Sequence, residues 1–368
     1  MAKWTTDELG TFITLKRGYD LPQQKRKDGQ VPIFSSSGIS GRHSDAMVSA
    51  PGVITGRYGT IGQVFFAIED YWPLNTTLYV EDFHGNDAQF MYYFLKTLEW
   101  DKFTSASAVP GINRNTVHKE IVTVPDLETQ RKIVGCLNLL DQKIMTNSRI
   151  NDNLYEMVNA YYTSLFKDVE CEMTTIGSYA ERIYSGGTPT TSNTAYWDGA
   201  FGWFSSGETR NRFVISTEKT ITQAGIENSS TKLAVKYDIV MASAGQGFTR
   251  GQTAMLLIDT YINQSVIVIH AEKNVLPYLF WNLANRYEEL RAISDSSSIR
   301  GSLTTKMIAA FEIPLAKKDS LQAFADFSWS VIPQIENNLL ENERLAALRD
   351  SLLPKLLSGE IDVSDIQL

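Results

Sequence analysis

The pattern of apolar and polar positions predicts the same order of elements twice along the chain. Short apolar runs bounded by Gly, Pro or Asn favour strands, whereas apolar residues three and four apart favour helices. The first copy is predicted to contain strands at 53–55, 61–68 and 78–80, a helix at 87–100, a short segment at 116–120 and a strand that stops at Pro125. The second copy is predicted to contain strands at 239–242 and 266–271, a helix at 277–291 and a strand that stops at Pro314. The mixture predicts an α/β (α+β) fold in each copy.

Local motifs align the two copies. The first copy contains Phe34-Ser35-Ser36-Ser37-Gly38, and its counterpart in the second copy is Phe204-Ser205-Ser206-Gly207. The first copy also contains Trp72-Pro73-Leu74-Asn75-Thr76-Thr77, and its counterpart is Tyr261-Ile262-Asn263-Gln264-Ser265. A solenoid needs shorter and more numerous repeats than these. The duplication therefore predicts two similar globular domains that can contact two different things.

Each copy is followed by a long helix whose apolar residues lie alternately four and three apart, the spacing of a coiled-coil seam. The first helix covers about 128–166, with the seam Ile133, Leu137, Leu140, Ile144, Asn147, Asn151, Leu154, Val158, Tyr161 and Leu165. The second seam is Phe324, Val331, Ile335, Asn338, Asn342, Leu345, Leu352 and Leu356. Because Pro333 lies inside the second helix, where proline costs about 3 kcal/mol, we expect a kink or a fresh start near it.

The two seams match when the helices are antiparallel. The polar layers then place Asn147 opposite Asn342 and Asn151 opposite Asn338. Buried amide pairs of this kind fix the register of a coiled coil, although a solvated edge is the plainer alternative. We expect a pseudo-two-fold order: a globular domain at 1–125, a spacer helix at 126–170, a second globular domain at 171–317, and a second spacer helix with a tail at 318–368.

Charge and cysteine content narrow the class of protein. The 368 residues carry a net charge of −8, which argues against an indiscriminate nucleic-acid binder. The acidity is concentrated after residue 317, so the globular parts can still present basic faces. Cys136 and Cys171 form no CxxC motif and indicate a reduced, cytoplasmic protein. No signal peptide or membrane span is predicted, and the scattered histidines predict no metal site.

The sequence lacks the motifs of the enzymes that it could be compared with. It contains neither the Asn/Asp-Pro-Pro-aromatic motif of adenine methyltransferases nor the GxxxxGK[ST] loop of nucleotide hydrolases. Ala244-Gly245-Gln246-Gly247-Phe248 is a weak match to a phosphate loop, and a turn is the better interpretation. We therefore expect a non-catalytic protein.

Loop residues of both copies are candidates for DNA contact, because Arg pairs with guanine and Asn or Gln with adenine, while Lys and Arg bind phosphates. The candidates in the first copy are Lys16, Arg17, Lys25, Arg42, Arg57, Tyr58, Asn113 and Arg114. Those in the second copy are Arg210, Gln246, Arg250 and Arg300. Surface loops often have this composition, and Gly56-Arg57-Tyr58-Gly59 can also be a plain hairpin turn.

Several motifs together resemble the specificity subunit of type I restriction–modification systems. Ser185-Gly186-Gly187-Thr188-Pro189, Tyr196-Trp197 and Trp203-Phe204-Ser205-Ser206-Gly207-Glu208 resemble the opening of its target-recognition domain. Arg57-Tyr58-Gly59-Thr60-Ile61-Gly62 and Arg300-Gly301-Ser302-Leu303 resemble later parts of that domain. Residues 127–133 with 140–144 resemble the spacer helix of the family, and residues 352–361 resemble its C-terminal ending.

The resemblance implies a non-catalytic subunit that reads a bipartite site in double-stranded DNA, one half per target-recognition domain. It also implies two methyltransferase subunits and restriction/translocase subunits as partners. S-adenosylmethionine would be bound by the methyltransferase subunits, and this subunit would need no cofactor. The second helix departs from the pattern at Ser320-Leu321-Gln322-Ala323-Phe324, so equal docking of both methyltransferase subunits does not follow.

Two other functions are compatible with parts of the pattern. A self-sufficient modification enzyme can carry such recognition domains, but the missing methyltransferase motifs count against it. A tandem-domain scaffold that binds proteins or glycans without DNA is the remaining alternative, because loop composition alone does not exclude it.

Overall fold

The computed structural model describes residues 3–104, 111–166, 172–245, 249–296 and 301–366. The chain forms two compact units, the first made of residues 1–144 with 344–368 and the second of residues 145–343. Each long helix therefore contributes residues to both units. The sequence-based domain boundaries at 125, 170 and 317 stay a prediction.

The first unit consists of small sheets, short helices and parts of both long helices. Its strands are β1 (Trp4–Glu8), β2 (Thr14–Arg17), β3 (Val31–Ser35), β4 (Gly38–His43), β5 (Gly52–Gly56), β6 (Val64–Ala67), β7 (Trp72–Pro73), β8 (Thr77–Asp82) and β9 (Ile121–Pro125). Its helices are α1 (Leu9–Phe12), α2 (Ala88–Lys96), α3 (Arg114–His118) and the start of α4 (Leu127–Phe166). The strands form sheets in the orders β1-β9, β2-β8-β5-β6 and β4-β3-β7.

The core of the first unit includes residues from both ends of the chain. Phe90 and Leu95 of α2 pack with Ile133 and Leu137 of α4 in one apolar cluster. Residues after 343 complete this cluster, with Leu353, Leu356, Leu357 and Val363 all buried. The first unit therefore cannot close its core without the C-terminal helix and tail.

The second unit also consists of small sheets, short helices and parts of both long helices, and it has more strands than the first. These are β10 (Met173–Thr175), β11 (Ala180–Ser185), β12 (Trp197–Phe204), β13 (Phe213–Val214), β14 (Lys219–Ile221), β15 (Lys232–Ala234), β16 (Ile239–Ala242), β17 (Thr253–Leu256), β18 (Thr260–Ile262), β19 (Val266–Ala271) and β20 (Glu312–Pro314). Its helices are α5 (Ile176–Tyr179), α6 (Gln223–Glu227), α7 (Leu276–Asn285), α8 (Tyr287–Ser296), α9 (Thr305–Ala309) and the start of α10 (Lys318–Leu357). The sheet orders are β10-β20, β11-β19-β16-β17-β13 and β14-β12-β18-β15.

The internal repeat is confirmed by strand pairing. The first strand of each unit pairs antiparallel with the last strand before a long helix, β1 with β9 and β10 with β20. The order β2-β8-β5-β6 recurs as β11-β19-β16-β17. The parallel pair β3–β7 recurs as β12–β18, with Phe34 beside Pro73 and Phe204 beside Ile262. The aligned sequence motifs thus occupy equivalent places in one α+β fold.

The strands predicted at 239–242 and 266–271 are confirmed to the residue as β16 and β19, and the predicted ends at Pro125 and Pro314 are the ends of β9 and β20. The strand predicted at 61–68 is shorter, because β6 covers only Val64–Ala67. Gly59 and Gly62 both have positive φ, which places the residues before β6 in a turn.

Two predicted helices end earlier than their apolar spacing indicates. The helix predicted at 87–100 is α2, which begins after Asp87 and ends at Lys96. Thr97 Oγ1 donates to the Phe94 carbonyl and Trp100 Nε1 donates to the Leu95 carbonyl, both at 2.8 Å. Side chains therefore supply the hydrogen-bond donors for two backbone carbonyls in the last turn of α2.

The helix predicted at 277–291 is divided into α7 and α8 at Arg286, whose ψ is +26°. Asn285 Nδ2 donates to the carbonyl of Trp281 at 2.8 Å. The Trp281 carbonyl thus accepts from a side chain at the end of α7. The Asn285 side chain therefore competes with the backbone N–H groups that would continue the helix. The single helix was therefore a wrong prediction at this point.

The helix α10 runs without interruption from Lys318 to Leu357, so a fresh start at Pro333 is wrong, while a kink there stays a prediction. Proline removes one backbone hydrogen bond from the helix interior at a cost of about 3 kcal/mol. Val331, Ile332 and Ile335 beside it are buried in the core of the second unit. Their burial offsets this cost and keeps the helix continuous.

Within the second unit, α4 and α10 pair antiparallel through their amides. Asn147 Nδ2 donates to Asn342 Oδ1 at 3.0 Å, and Asn338 Nδ2 donates to Asn151 Oδ1 at 2.8 Å. Asn147 and Asn338 are buried, and Asn151 and Asn342 are half-buried. The solvated-edge alternative does not describe these layers, while their role in fixing register stays a prediction.

Candidate nucleic-acid interface

Loops from four places in the first unit meet beyond the end of β5. Arg57 follows β5; its N–H donates to the Thr76 carbonyl at 2.9 Å, and its carbonyl accepts from Ile112 N–H at 3.0 Å. Ser36 lies against Gly56 and Gly59. We call the segments 35–37, 57–60, 75–76 and 111–114 the loop edge of the first unit.

The Arg57 guanidinium rests on an aromatic ring at this edge. Its Cζ lies 4.5 Å from the centroid of the Tyr58 ring. The ring in turn packs on Gly111, where a Cβ would come within 2.2 Å of Tyr58 Cε1. Stacking of this kind holds the plane of an arginine and leaves its N–H groups available to a ligand.

Asn113 and Arg114 lie next to this contact, at the start of α3. The Asn113 side chain caps the helix by accepting from Asn115 N–H at 3.0 Å. This bond explains Asn113 structurally, because a helix start leaves donors that need an acceptor. Arg114 is exposed and forms no ion pair within the described part of the chain.

The second unit has an equivalent loop edge. Ser243 N–H donates to the Ser265 carbonyl and Leu303 N–H donates to the Ser243 carbonyl, both at 2.9 Å. These two bonds match those of Arg57, so Ser243 is the counterpart of Arg57. The cap of α9, Thr304, accepts from Met307 N–H at 3.2 Å and matches Asn113. The loop edge of the second unit is defined by 205–207, 243–245, 264–265 and 302–305.

The two described arginines among the candidates of the second copy form ion pairs with carboxylates. The Arg250 side chain is only 16% exposed; its Nη2 lies 2.7 Å from Asp295 Oδ1 and its Nη1 donates to the Gly301 carbonyl at 2.5 Å. The exposed Arg210 pairs with Glu218. A DNA contact by Arg250 would require these bonds to break. Gln246 and Arg300 lie outside the described residues.

The other basic candidates of the first copy lie beside different neighbours. Lys16 pairs with Glu81 at 2.5 Å, and this hydrogen bond raises the pKa of the lysine. Arg17 lies at the end of β2, 3.7 Å from Asp20, near the loop edge. Arg42 faces Glu69 at 3.6 Å on β4. Lys25 is exposed in a short turn.

Sequence reasoning missed a polar pair that occurs at both loop edges. Asn75 donates to Asp20 in the first unit, and Thr188 donates to Gln264 in the second. Asn75 and Gln264 are counterparts in the aligned motifs around Trp72 and Tyr261. That alignment was the available signal, but it did not show that the preceding segments supply the partners.

The described residues of the two loop edges carry polar side chains but no cluster of metal ligands. Within the described ranges, no group of three or more His, Cys, Asp or Glu side chains could hold a metal ion. No described helix is both long enough and apolar enough to cross a membrane. The edges instead offer hydroxyl, amide and guanidinium groups, which are the groups that read bases and hold phosphates.

The family described as the type I restriction modification DNA specificity domain matches residues 1–156 and 169–343. The chain belongs to this family. The two matches fall on the two copies of the fold, so the resemblance found in the sequence motifs is confirmed. The conclusion for function is recognition of DNA sequence. Specificity subunits of these systems are non-catalytic and work in complexes with DNA, methyltransferase and restriction subunits.

Individual relatives agree with the family assignment. The chain is 21% identical to the type I restriction enzyme HindI specificity subunit of Haemophilus influenzae, over 74% of this chain and 77% of that protein. It is 24% identical to the EcoR124I/EcoR124II specificity subunit of Escherichia coli, over 65% of this chain and 61% of that protein. The crystal structure of a type I system S subunit from M. genitalium matches with a TM-score of 0.59 at 17% identity, covering 96% of both chains, and supports the fold.

Proposed function

We propose that this chain reads a bipartite site in double-stranded DNA, with one half read at each loop edge. The observation that carries this proposal is the repeated backbone arrangement around Arg57 and Ser243. The two positions are held by the same pair of hydrogen bonds but carry different residues, a half-buried arginine and a serine that is 6% exposed. A shared backbone frame with different residues suits two readers of different sequences.

The candidate contacts in the first unit are Arg57, Tyr58, Asn113 and Arg114, with Lys16, Arg17, Lys25 and Arg42 as further candidates for phosphates. Arg210 and Arg250 are the described candidates in the second unit. Phosphate contacts position the protein without carrying sequence information, so only some of these residues should determine the bases that are read.

The proposed partners are two methyltransferase subunits and restriction/translocase subunits. In this proposal the chain binds no cofactor, and S-adenosylmethionine belongs to the methyltransferase subunits. The exact stoichiometry can be measured by native mass spectrometry of the assembled complex. A complex with one methyltransferase subunit per chain at saturation would contradict this part of the proposal.

Selection from a library of random duplexes tests the proposed reading mode. The chain, assembled with its methyltransferase subunits, should enrich two short blocks of defined sequence separated by a gap of unspecified sequence. Methyltransferase subunits alone are the control. Enrichment of a single continuous block would contradict the bipartite mode, and no enrichment would favour the scaffold alternative.

A methylation assay tests the non-catalytic part of the proposal. The pure chain should transfer no labelled methyl group from S-adenosylmethionine to a DNA that contains the selected site. Addition of the methyltransferase subunits should restore transfer to the same DNA. Transfer by the pure chain would show that it is a self-sufficient modification enzyme.

A further inference from the structure

One backbone position at the two loop edges is fixed in the same way but carries different side chains. Arg57 follows β5, and Ser243 follows the equivalent strand β16. The Arg57 N–H donates to the Thr76 carbonyl, and the Ser243 N–H donates to the Ser265 carbonyl. The Arg57 carbonyl accepts from Ile112 N–H just before α3, and the Ser243 carbonyl accepts from Leu303 N–H just before α9. Residues 57 and 243 therefore occupy matching places, but the Arg57 residue is half-buried whereas Ser243 is only 6% exposed.

Among the described residues, the candidate arginines Arg57 and Arg114 have no carboxylate partner, and of these two Arg57 is the one stacked on an aromatic ring. Arg17, Arg42, Arg210 and Arg250 each have a carboxylate within 4 Å. Arg57 has no such partner among the described residues, and its plane rests on Tyr58 at 4.5 Å. An ion pair would compete with a ligand for the N–H groups, whereas stacking orients them without using them.

A fixed backbone and a stacked plane reduce the conformational freedom that Arg57 would lose on binding. Of the groups on base edges, the O6 and N7 acceptors of guanine match two parallel N–H donors of arginine in the major groove. At the matching position of the second unit, Ser243 is only 6% exposed, so its hydroxyl offers little surface to a base edge. Of the two matching positions, Arg57 is therefore the one that offers a base-reading group.

We propose that Arg57 determines one guanine in the half-site of the first unit. The proposal rests on the proposed bipartite reading. It assigns a guanine to one specific side chain.

The test uses the chain assembled with its methyltransferase subunits and the duplex that the wild-type complex selects. Dissociation constants are measured for this duplex and for a set in which each base pair of the first half-site is changed in turn. Arg57→Ala should weaken binding of the selected duplex by about 5- to 140-fold, the range for one bidentate contact. It should also abolish discrimination at one G·C pair and keep discrimination at the others.

Two further variants separate charge from base reading. Arg57→Lys keeps the positive charge but lacks the planar fork, so it should lose the same discrimination while binding all duplexes more tightly than Arg57→Ala. Arg149→Ala removes an exposed arginine from α4 and should leave the discrimination pattern unchanged.

Equal weakening of Arg57→Ala on every duplex would overturn the proposal and make Arg57 a phosphate contact. Retained discrimination at every base pair would also overturn it. Thermal melts of each variant show whether a loss of binding reflects unfolding, and Arg57→Lys then decides the question. Failure of the bipartite reading itself is visible separately, because the wild-type complex would then select no two-block site.

Discussion

Asn147 Nδ2 donates to Asn342 Oδ1 at 3.0 Å between the two long helices of the second unit, and Asn147 is 1% exposed. The same amide group donates to Glu341 Oε2 at 2.7 Å. One turn further along α4, Asn151 accepts from Asn338 at 2.8 Å. Since buried amides are satisfied only when their partners lie opposite, these layers favour one alignment of the helices.

Asn147→Leu should lower the free energy of unfolding by about 1–3 kcal/mol, because Asn342 and Glu341 lose a buried donor. Asn147→Leu combined with Asn342→Leu should be less destabilised than the single variant, since the unmatched amide is gone. Asn153→Leu, at an exposed position of α4, is the control. Denaturant unfolding of the four proteins measures the coupling, and equal losses in the single and double variants would argue against a paired layer.

The C-terminal helix should be needed for the stability of the first unit. Leu356 is 3% exposed in the same apolar cluster as Ile133 and Leu137, whereas Leu348 on the same helix is 46% exposed. Leu356→Ala should cost about 2–5 kcal/mol through lost burial and a cavity, while Leu348→Ala should change stability by less than about 0.5 kcal/mol. Chemical unfolding monitored by tryptophan fluorescence measures both, and similar effects of the two variants would contradict the assigned core.

The first unit should lose stability as the solution becomes mildly acidic. His118 Nε2 accepts from Leu15 N–H at 2.8 Å, which requires a neutral ring. Burial, with smaller contributions from Arg114 and His84, lowers the pKa of His118 below its ordinary value of 6.5. Because the unfolded chain then binds the proton more readily, the contribution of His118 is complete above pH 6.5 and falls as the pH drops towards its folded pKa.

An NMR titration of the His118 ring measures this pKa directly. His118→Gln keeps a possible acceptor but cannot titrate, so its stability should depend less on pH between 7 and 5 than that of the wild type. A folded pKa at or above 6.5 would contradict the neutral, hydrogen-bonded ring.

The sequence predicted the repeat and the long helices because both depend on periodic apolar positions. The seam that contains Asn147 and Asn342 is an example: the spacing alone placed these two amides opposite each other. The ends of α2 and α7 were not predictable from apolar spacing, since they depend on carbonyls taken by the side chains of Trp100 and Asn285. Pro333 also shows tertiary packing outweighing a local preference.

The candidate site was less accessible from the sequence than the fold. Arg57 was a visible candidate, but Arg250 was one as well, and only the structure shows that Asp295 and Gly301 hold its guanidinium. The equivalence of Arg57 and Ser243 depends on backbone hydrogen bonds between segments distant in sequence. The residue types of a loop do not indicate which backbone hydrogen bonds it forms with distant segments.

Domain exchange followed by methylome sequencing tests whether each domain reads its own half of the DNA site. Residues 1–125 are replaced by the equivalent domain of a family relative that reads a different site, and the variant is expressed with the methyltransferase subunits in a host that lacks them. The account predicts that one half of the methylated site changes to that of the relative, while the other half stays the same. If both halves changed together, or neither did, two independent readers in one chain would be contradicted.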